Sequence, residues 1–168
     1  PPVEGKSVEG AAVARPIADR EPLALYVYKT VADPFAGRVT YFKVMSGVLK
    51  NDANVYNYTR SATERLAHIG VLFGKTVTPV TEIRAGDLGA VAKLKETLTG
   101  DTLGDKASPI LYPPVALPVP AIAYALEPKS RQDEDRMGAA LHKILEEDRS
   151  LKFYRDPQTK EFLLAGSG

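Results

Sequence analysis

Residues 83–103 read IRAGDLGAVAKLKETLTGDTL and carry the clearest strand and turn pattern of the chain. It contains two apolar, strand-like pieces set between turns that carry Gly86 and Gly100. Glycine suits such turns because it takes positive φ without the steric cost of a Cβ. The first piece, residues 88–94, is a run of small and β-branched residues of strand length. The pattern therefore predicts two β-strands arranged like a hairpin.

Strand patterns of the same kind extend through residues 22–115. Short apolar or alternating runs are separated by Gly, Asn and Asp turns, at residues 23–31, 38–45, 55–59, 65–73 and 77–83. Closely spaced short strands with no helical period between them favour a barrel over a parallel sheet with crossover helices. We expect a closed barrel, since closure also removes exposed sheet edges.

The period changes after a connector, residues 112–120, which four prolines stiffen,. Ser130, with Asp133 three residues on, marks the start of a helix,. Apolar residues at helical spacing then predict one buried face, formed by Met137, Leu141, Ile144 and Leu145,. Strand-like runs precede and follow this helix, so the order is β-α-β-β, three quarters of a ferredoxin-like unit.

The chain is therefore predicted to have three regions. Residues 1–21 are rich in proline, glycine and charge and have no periodicity, so we expect a linker that buries no face,. Residues 22–115 form the β-barrel, and residues 116–168 form an incomplete ferredoxin-like domain. The fold class is mainly β with an α+β second part.

Several segments also stand in an order typical of one family. They are AGDLGAV and TGDTL within residues 83–103, ADPFAGRVTYFKVMSGVLK at 32–50, and PVPAIAYALEPKSRQDEDRMGAALHKILEEDRSLKF at 118–153. Together they resemble the second domain and the start of the third domain of bacterial elongation factor G, a translational GTPase. The resemblance implies a fragment of a ribosomal translocation GTPase, with residues 1–21 as the linker from a GTPase domain that is absent from this chain.

The resemblance also implies partners and location. It implies a cytoplasmic, monomeric parent protein that binds the ribosome through small-subunit RNA, touches its own GTPase and C-terminal domains, and does not bind a membrane. GTP and Mg would lie in the GTPase domain, so this chain is expected to hold no cofactor and no catalytic residue. In that family the third domain moves relative to the second. Pro118 and Pro120 match the family's paired prolines, and we expect them to limit a hinge that relays GTP-dependent rearrangement; a rigid linker is the alternative.

The amino-acid composition limits the kinds of site that the chain can form. The chain has no cysteine and two histidines, which excludes disulfides and thiolate sites and makes a multi-histidine metal site unexpected, so no metal site is predicted,. No apolar run approaches the length of a membrane span,. The net charge is +1, and residues 23–115 alone carry +3. That surplus suits a modest phosphate-contacting face, or an ordinary solvated surface.

Basic residues in the predicted barrel loops are the candidate ribosomal RNA contacts, because guanidinium groups bind phosphates bidentately. The candidates are Arg38, Lys43, Arg60, Arg65, Lys75 and Arg84. Strand tyrosines offer stacking faces for bases, but at strand positions we expect them to be core or cross-strand partners.

Other functions stay open at this point. A diverged paralogue, such as a ribosomal protection or release-type factor, shares the barrel. A non-ribosomal barrel binding module fits the same strand pattern. A third alternative is an enzyme that uses GVLFGKT, residues 70–76, as a phosphate loop. That string has one residue too few between its glycines and leads into a strand pattern rather than a helix, so we favour an irregular barrel turn.

Overall fold

The computed structural model describes residues 1–33, 35–74 and 76–168, which form two compact units, Pro1–Pro114 and Val115–Gly168. The strands of the first unit are β1 Val3–Lys6, β2 Ala12–Arg15, β3 Ala24–Asp33, β4 Gly37–Ser46, β5 Val48–Lys50, β6 Ala53–Asn57, β7 Ala62–Leu66, β8 Gly70–Phe73, β9 Thr76–Pro79, β10 Glu82–Arg84, β11 Leu88–Ala92 and β12 Thr102–Gly104. Eight of them form one antiparallel sheet in the order β7-β6-β12-β3-β4-β11-β8-β9.

This sheet curls around an apolar core. Alternating residues of β3 and β4, among them Leu25 and Phe42, are almost fully buried there. A second sheet, β10-β5, supplies Leu49 and Ile83 to the same core. The barrel-type fold is confirmed, but among the described residues the main sheet ends at β7 and β9. The structure is therefore a half barrel with a two-stranded complement, not the closed cylinder that the sequence predicted.

The two strands of residues 83–103 do not form a hairpin. β11 pairs with β4 and β8, whereas β12 pairs with β3 and β6. The β3–β4 hairpin thus separates them, and residues 93–101 cross its end. Gly89 shows why β11 packs so closely, since a Cβ there would lie 2.5 Å from Ile83 Cδ1 and 2.7 Å from Phe42 Cζ.

Two runs predicted as single strands are broken. Residues 65–73 divide into β7 and β8 at His68, whose φ is 56°, in the left-handed region. Residues 77–83 divide into β9 and β10, and between them the Val80 amide donates to the Ile69 carbonyl at 3.1 Å. The break at His68 takes the chain from β7, at one edge of the main sheet, to β8 near the other edge. The break after β9 takes it into the β10–β5 sheet, and an apolar run reveals neither change.

Residues 1–21 are not a structureless linker. β1 and β2 form an antiparallel hairpin, and the Lys6 amide donates to the Leu111 carbonyl at 2.8 Å. Val3 and Val13 pack against a small core of Ala24, Ile110 and Tyr112. At the end of β2 the buried Arg15 donates to the Ser108 carbonyl at 2.9 Å. The prediction failed because four-residue strands carry too few alternations to show a period.

The second unit confirms the β-α-β-β order. Its elements are β13 Ile122–Leu126, α1 Arg131–Glu147, β14 Lys152–Arg155 and β15 Phe162–Gly166. The strands form an antiparallel sheet in the order β13-β15-β14. Ser130 is the N-cap, as predicted, with its side chain accepting from the Asp133 amide.

The helix buries fewer of its apolar side chains than the sequence predicted. Leu141 alone among the described helix residues is buried, Met137 and Leu145 are half-buried, and Ile144 is 44% exposed. A three-stranded sheet covers only part of the apolar stripe. Gly138 has no heavy atom within 4 Å of a built Cβ, so close packing does not require glycine there.

Candidate nucleic-acid interface

Arg38, at the start of β4, is held at one end of the half barrel. Its guanidinium Nη2 donates to the Leu94 carbonyl at 2.7 Å and also to the Lys95 carbonyl. The backbone pairs as well, because the Lys93 amide donates to the Arg38 carbonyl at 2.8 Å. Arg38 therefore binds the loop that follows β11, residues 93–101, which we call the crossing loop.

Arg60, in the turn between β6 and β7, binds the other side of the crossing loop. Its Nε donates to Asp101 Oδ2 at 3.1 Å, and Asp101 is 1% exposed. The same carboxylate oxygen accepts from Asn57 Nδ2 and from the Leu98 amide, each at 3.0 Å. A buried carboxylate needs such partners, since an unpaired charge in the interior is costly.

Glu64, on β7, holds the middle of the crossing loop. This residue is 5% exposed. Its Oε1 accepts from the amides of Glu96 at 2.7 Å and Thr97 at 3.0 Å, and from Thr97 Oγ1 at 3.0 Å. Its Oε2 accepts from the Lys95 amide at 3.2 Å. The crossing loop is thus fixed by three side chains from three different strands or turns, although most of it lies outside the sheet.

Two other candidates lie at the opposite end. Arg65 pairs with Asp52 at 3.1 Å on the surface. Arg84 Nη2 lies 2.9 Å from Glu82 Oε1 and its Nη1 lies 3.4 Å from Asp19 Oδ2. The hydrogen bond to Glu82 and the two carboxylates raise the pKa of Arg84. Arg84 pairs in register with Val48, just beyond the end of β4, whereas Arg38 lies at its start.

The remaining candidates are Lys43 and Lys75. Lys43 is half-buried on β4, between Tyr26 of β3 and Leu88 of β11 in register. Lys75 lies outside the residues that the structure describes. The structure therefore brings Arg38 and Arg60 together around one loop and does not gather all six candidates into one surface.

The turn between β3 and β4 presents an aromatic side chain that the sequence analysis missed. Phe35 is 98% exposed. Asp33 Oδ1 accepts from the amides of Phe35 at 2.8 Å and Ala36 at 2.7 Å, and these bonds lower the pKa of the Asp33 carboxyl. The signal was the Asp-Pro-Phe-Ala-Gly turn itself, since an apolar residue at a hairpin tip has no core to enter.

The rings of the strand tyrosines contact other tyrosine rings. Tyr28 and Tyr41 have ring centroids 6.4 Å apart, and Tyr56 and Tyr58 have theirs 5.9 Å apart. Tyr26 meets Tyr112 edge-on at 6.5 Å. These pairs favour the packing role expected of strand tyrosines.

The string GVLFGKT has the wrong geometry for a phosphate loop. Gly70–Phe73 and Thr76–Pro79 are the two arms of the β8–β9 hairpin, so no helix N-terminus follows the glycines,. Across the described part of the chain, no three His, Cys, Asp or Glu side chains converge as metal ligands would. A search of the same residues for a helix long and apolar enough to cross a bilayer finds none.

Comparison with known proteins agrees with this architecture. The family model for elongation factor G domain 2 matches residues 22–106, and the model for elongation factor G domain III matches residues 117–168. A crystal structure of a protein from Thermus thermophilus matches with a TM-score of 0.80 and 38% sequence identity, over 88% of this chain and 22% of that chain. This chain thus spans about a fifth of that relative's length.

Both matched families are parts of translation elongation factors, and neither domain is catalytic. The domain 2 model alone covers half of the sequence. The chain therefore belongs to the elongation factor G family.

Proposed function

We propose that this chain is the part of a ribosomal translocation GTPase that contacts small-subunit RNA and relays GTP-dependent rearrangement. The observation that carries the proposal is the collinear match of residues 22–106 and 117–168 to two successive elongation factor G domains. The GTPase active site, with GTP and Mg, belongs to the parent protein outside this chain, and the parent acts as a cytoplasmic monomer.

The end of the barrel around the crossing loop is the proposed RNA contact. The Arg38 guanidinium is held there by the Leu94 carbonyl, and the Arg60 guanidinium is held by the Asp101 carboxylate. A guanidinium has five N–H donors, so the Arg60 bond through Nε leaves its Nη edge able to meet a phosphate. The exposed ring of Phe35 lies in the turn just before Arg38 and adds an apolar face suited to stacking,. Lys43, Arg65, Lys75 and Arg84 remain candidates for additional contacts.

Co-sedimentation with purified small ribosomal subunits tests this contact. We expect the chain to pellet with small subunits and to be released as salt rises, because phosphate contacts depend on counterion release. Substituting Arg60→Gln should weaken pelleting, while Arg155→Gln in the second unit serves as a charge-matched control. If the chain does not pellet, or if both variants behave alike, the proposed contact is wrong.

The second part of the proposal concerns motion. Pro118 and Pro120 lie near the start of the second unit, before β13, and fix φ there,. We propose that they set the limit of a hinge between the two units during elongation. Comparing interdomain angles of the intact parent protein in two nucleotide states tests this, and an angle that does not change would contradict it.

A diverged paralogue is the competing assignment within the same family. A protection or release-type factor would also bind the ribosome, so pelleting alone does not separate the two. Complementation does, because a translocase restores elongation in an extract depleted of elongation factor G and a paralogue does not.

A further inference from the structure

The first part of the crossing loop, residues 93–97, has a regular division between buried and exposed side chains. Leu94 is 4% exposed and belongs to the main core, and Thr97 is fully buried. Lys93, Lys95 and Glu96 are exposed. The buried side chains of Leu94 and Thr97 therefore anchor the segment to the interior. The exposed side chains present two positive charges and one negative charge to solvent.

Hydrogen bonds to backbone atoms fix both ends of this segment. Lys93 has a φ of 65°, and its amide donates to the Arg38 carbonyl at 2.8 Å. The Arg38 guanidinium returns a bond to the Leu94 carbonyl at 2.7 Å. At the other end, Glu64 accepts from the three successive amides of residues 95–97. Charge-assisted bonds of this kind are stronger than neutral ones, so the buried carboxylate is a firm anchor.

The two ammonium groups differ from the candidate arginines. Arg60, Arg65 and Arg84 all pair with carboxylates. Within residues 1–33, 35–74 and 76–168, neither Lys93 nor Lys95 has an ion pair or a side-chain hydrogen bond. A cation on a fixed backbone with no internal partner breaks no existing bond when it meets a phosphate, and only its side chain has to become ordered.

We propose that residues 93–97 are a phosphate-binding element for RNA, in which Lys93 and Lys95 contact phosphates and Glu64 is the positioning residue. This inference rests on the proposed contact between the barrel and small-subunit RNA and adds the residues that make it. Glu96 opposes the contact, because its carboxylate lies among the phosphates that the lysines attract. An acidic protein surface is the competing occupant.

Two Glu→Gln substitutions distinguish a positioning role of Glu64 from a simple effect of net charge on binding. Glu64→Gln and Glu96→Gln each remove one negative charge, and the two residues meet directly, since the Glu96 amide donates to Glu64. If net charge alone governs binding, both variants bind small ribosomal subunits more tightly. If Glu64 positions the lysines, Glu96→Gln tightens binding and Glu64→Gln weakens it, because a Gln side chain has one acceptor oxygen and an NH₂ that repels amide donors.

The measurement is equilibrium binding of the full chain to purified small ribosomal subunits between about 50 and 200 mM salt. We expect Lys95→Gln to weaken binding about fivefold near 0.1 M salt and to lower the slope of log affinity against log salt by about 0.7 to 0.9. Hydrogen exchange at the amides of residues 95–97 should rise in Glu64→Gln. Thr97→Val is a milder second variant, which removes one donor to Glu64 and should weaken binding in the same direction.

Each outcome bears on one claim. Absence of binding by the unaltered chain contradicts the proposed function. Binding that is unchanged in Lys93→Gln and Lys95→Gln overturns the phosphate-binding element alone, and tighter binding by a folded Glu64→Gln overturns the positioning role. Digesting the RNA tests the occupant, since binding that survives on the remaining ribosomal proteins would show that the surface meets protein.

Discussion

Charged side chains at one end of the half barrel act mainly on backbone. Asp101 and Glu64 are buried and accept from amides of the crossing loop, and Arg38 donates to its carbonyls. At the opposite end, Arg65 and Arg84 make ion pairs that are largely exposed. Exposed pairs of this kind contribute little stability. Single charges therefore matter most around the crossing loop, where they determine its conformation.

The Asp33 carboxyl gives a prediction for how the stability of the chain depends on pH. Amide hydrogen bonds lower the pKa of its carboxyl in the folded chain from the ordinary 3.8. A group whose pKa falls on folding stabilises the folded state above its unfolded pKa and loses that contribution as the pH falls. We expect the difference in urea midpoint between the unaltered chain and Asp33→Ala to be largest near neutral pH and to shrink below about pH 4. A difference that grows on acidification would contradict the assignment.

Gly138 gives a prediction for stability. It lies within α1 with open space around its Cα, so Gly138→Ala should stabilise the second unit by about 1 kcal/mol,. Gly89→Ala is the contrasting variant, because its new Cβ would collide with Ile83 and Phe42. Urea unfolding followed by circular dichroism should move in opposite directions for the two variants, and destabilisation by Gly138→Ala would show that glycine is needed there.

Among the elements, the N-terminal hairpin shows how short strands gain stability from tertiary contacts. Neither β1 nor β2 carries a clear pattern, yet Val3 and Val13 pack against Ile110 and Tyr112. Conversely, the longest elements were predictable. The bounds of β3 and β4 agree with the sequence to within two residues at each end, and α1 begins just after Ser130 as predicted, because ten or more residues show their period plainly.

Removing the hairpin tests its role. A chain that lacks residues 1–14 exposes the small core at Ile110 and Tyr112, and we expect it to lose about 1 to 3 kcal/mol of unfolding free energy,. Retaining Arg15 preserves its bond to Ser108. If residues 1–14 were only a linker, the shortened chain would unfold at the same urea concentration.

Sequence reasoning located part of the candidate site for a physical reason. Arg38 and Arg60 stand beside turn signals, and turns are readable locally. The roles of Glu64 and Asp101 could not be predicted, because the partners of Glu64 lie 31 to 33 residues away along the chain and the side-chain partners of Asp101 lie 41 and 44 residues away. The pairing of β11 with β4 and of β12 with β3 brings these groups together, and no single segment records that topology.

At the scale of the molecule, the chain joins a half barrel and a β-α-β-β unit that match successive domains of one family. The string at residues 70–76, which resembled a phosphate loop, contributes to both strands of the β8–β9 hairpin. The match to these two domains supports our proposal that the chain binds RNA and transmits motion, while hydrolysis takes place elsewhere in the parent protein.

Directed hydroxyl-radical probing can show which end of the barrel faces ribosomal RNA, because the chain has no cysteine and one introduced thiol can carry the iron chelate alone. Phe35→Cys places the probe beside Arg38, and Glu82→Cys places it at the opposite end of the barrel. With small ribosomal subunits, we expect cleavage of ribosomal RNA from position 35 and little from position 82. Cleavage from position 82 alone, or from neither position when the chain is bound, would contradict it.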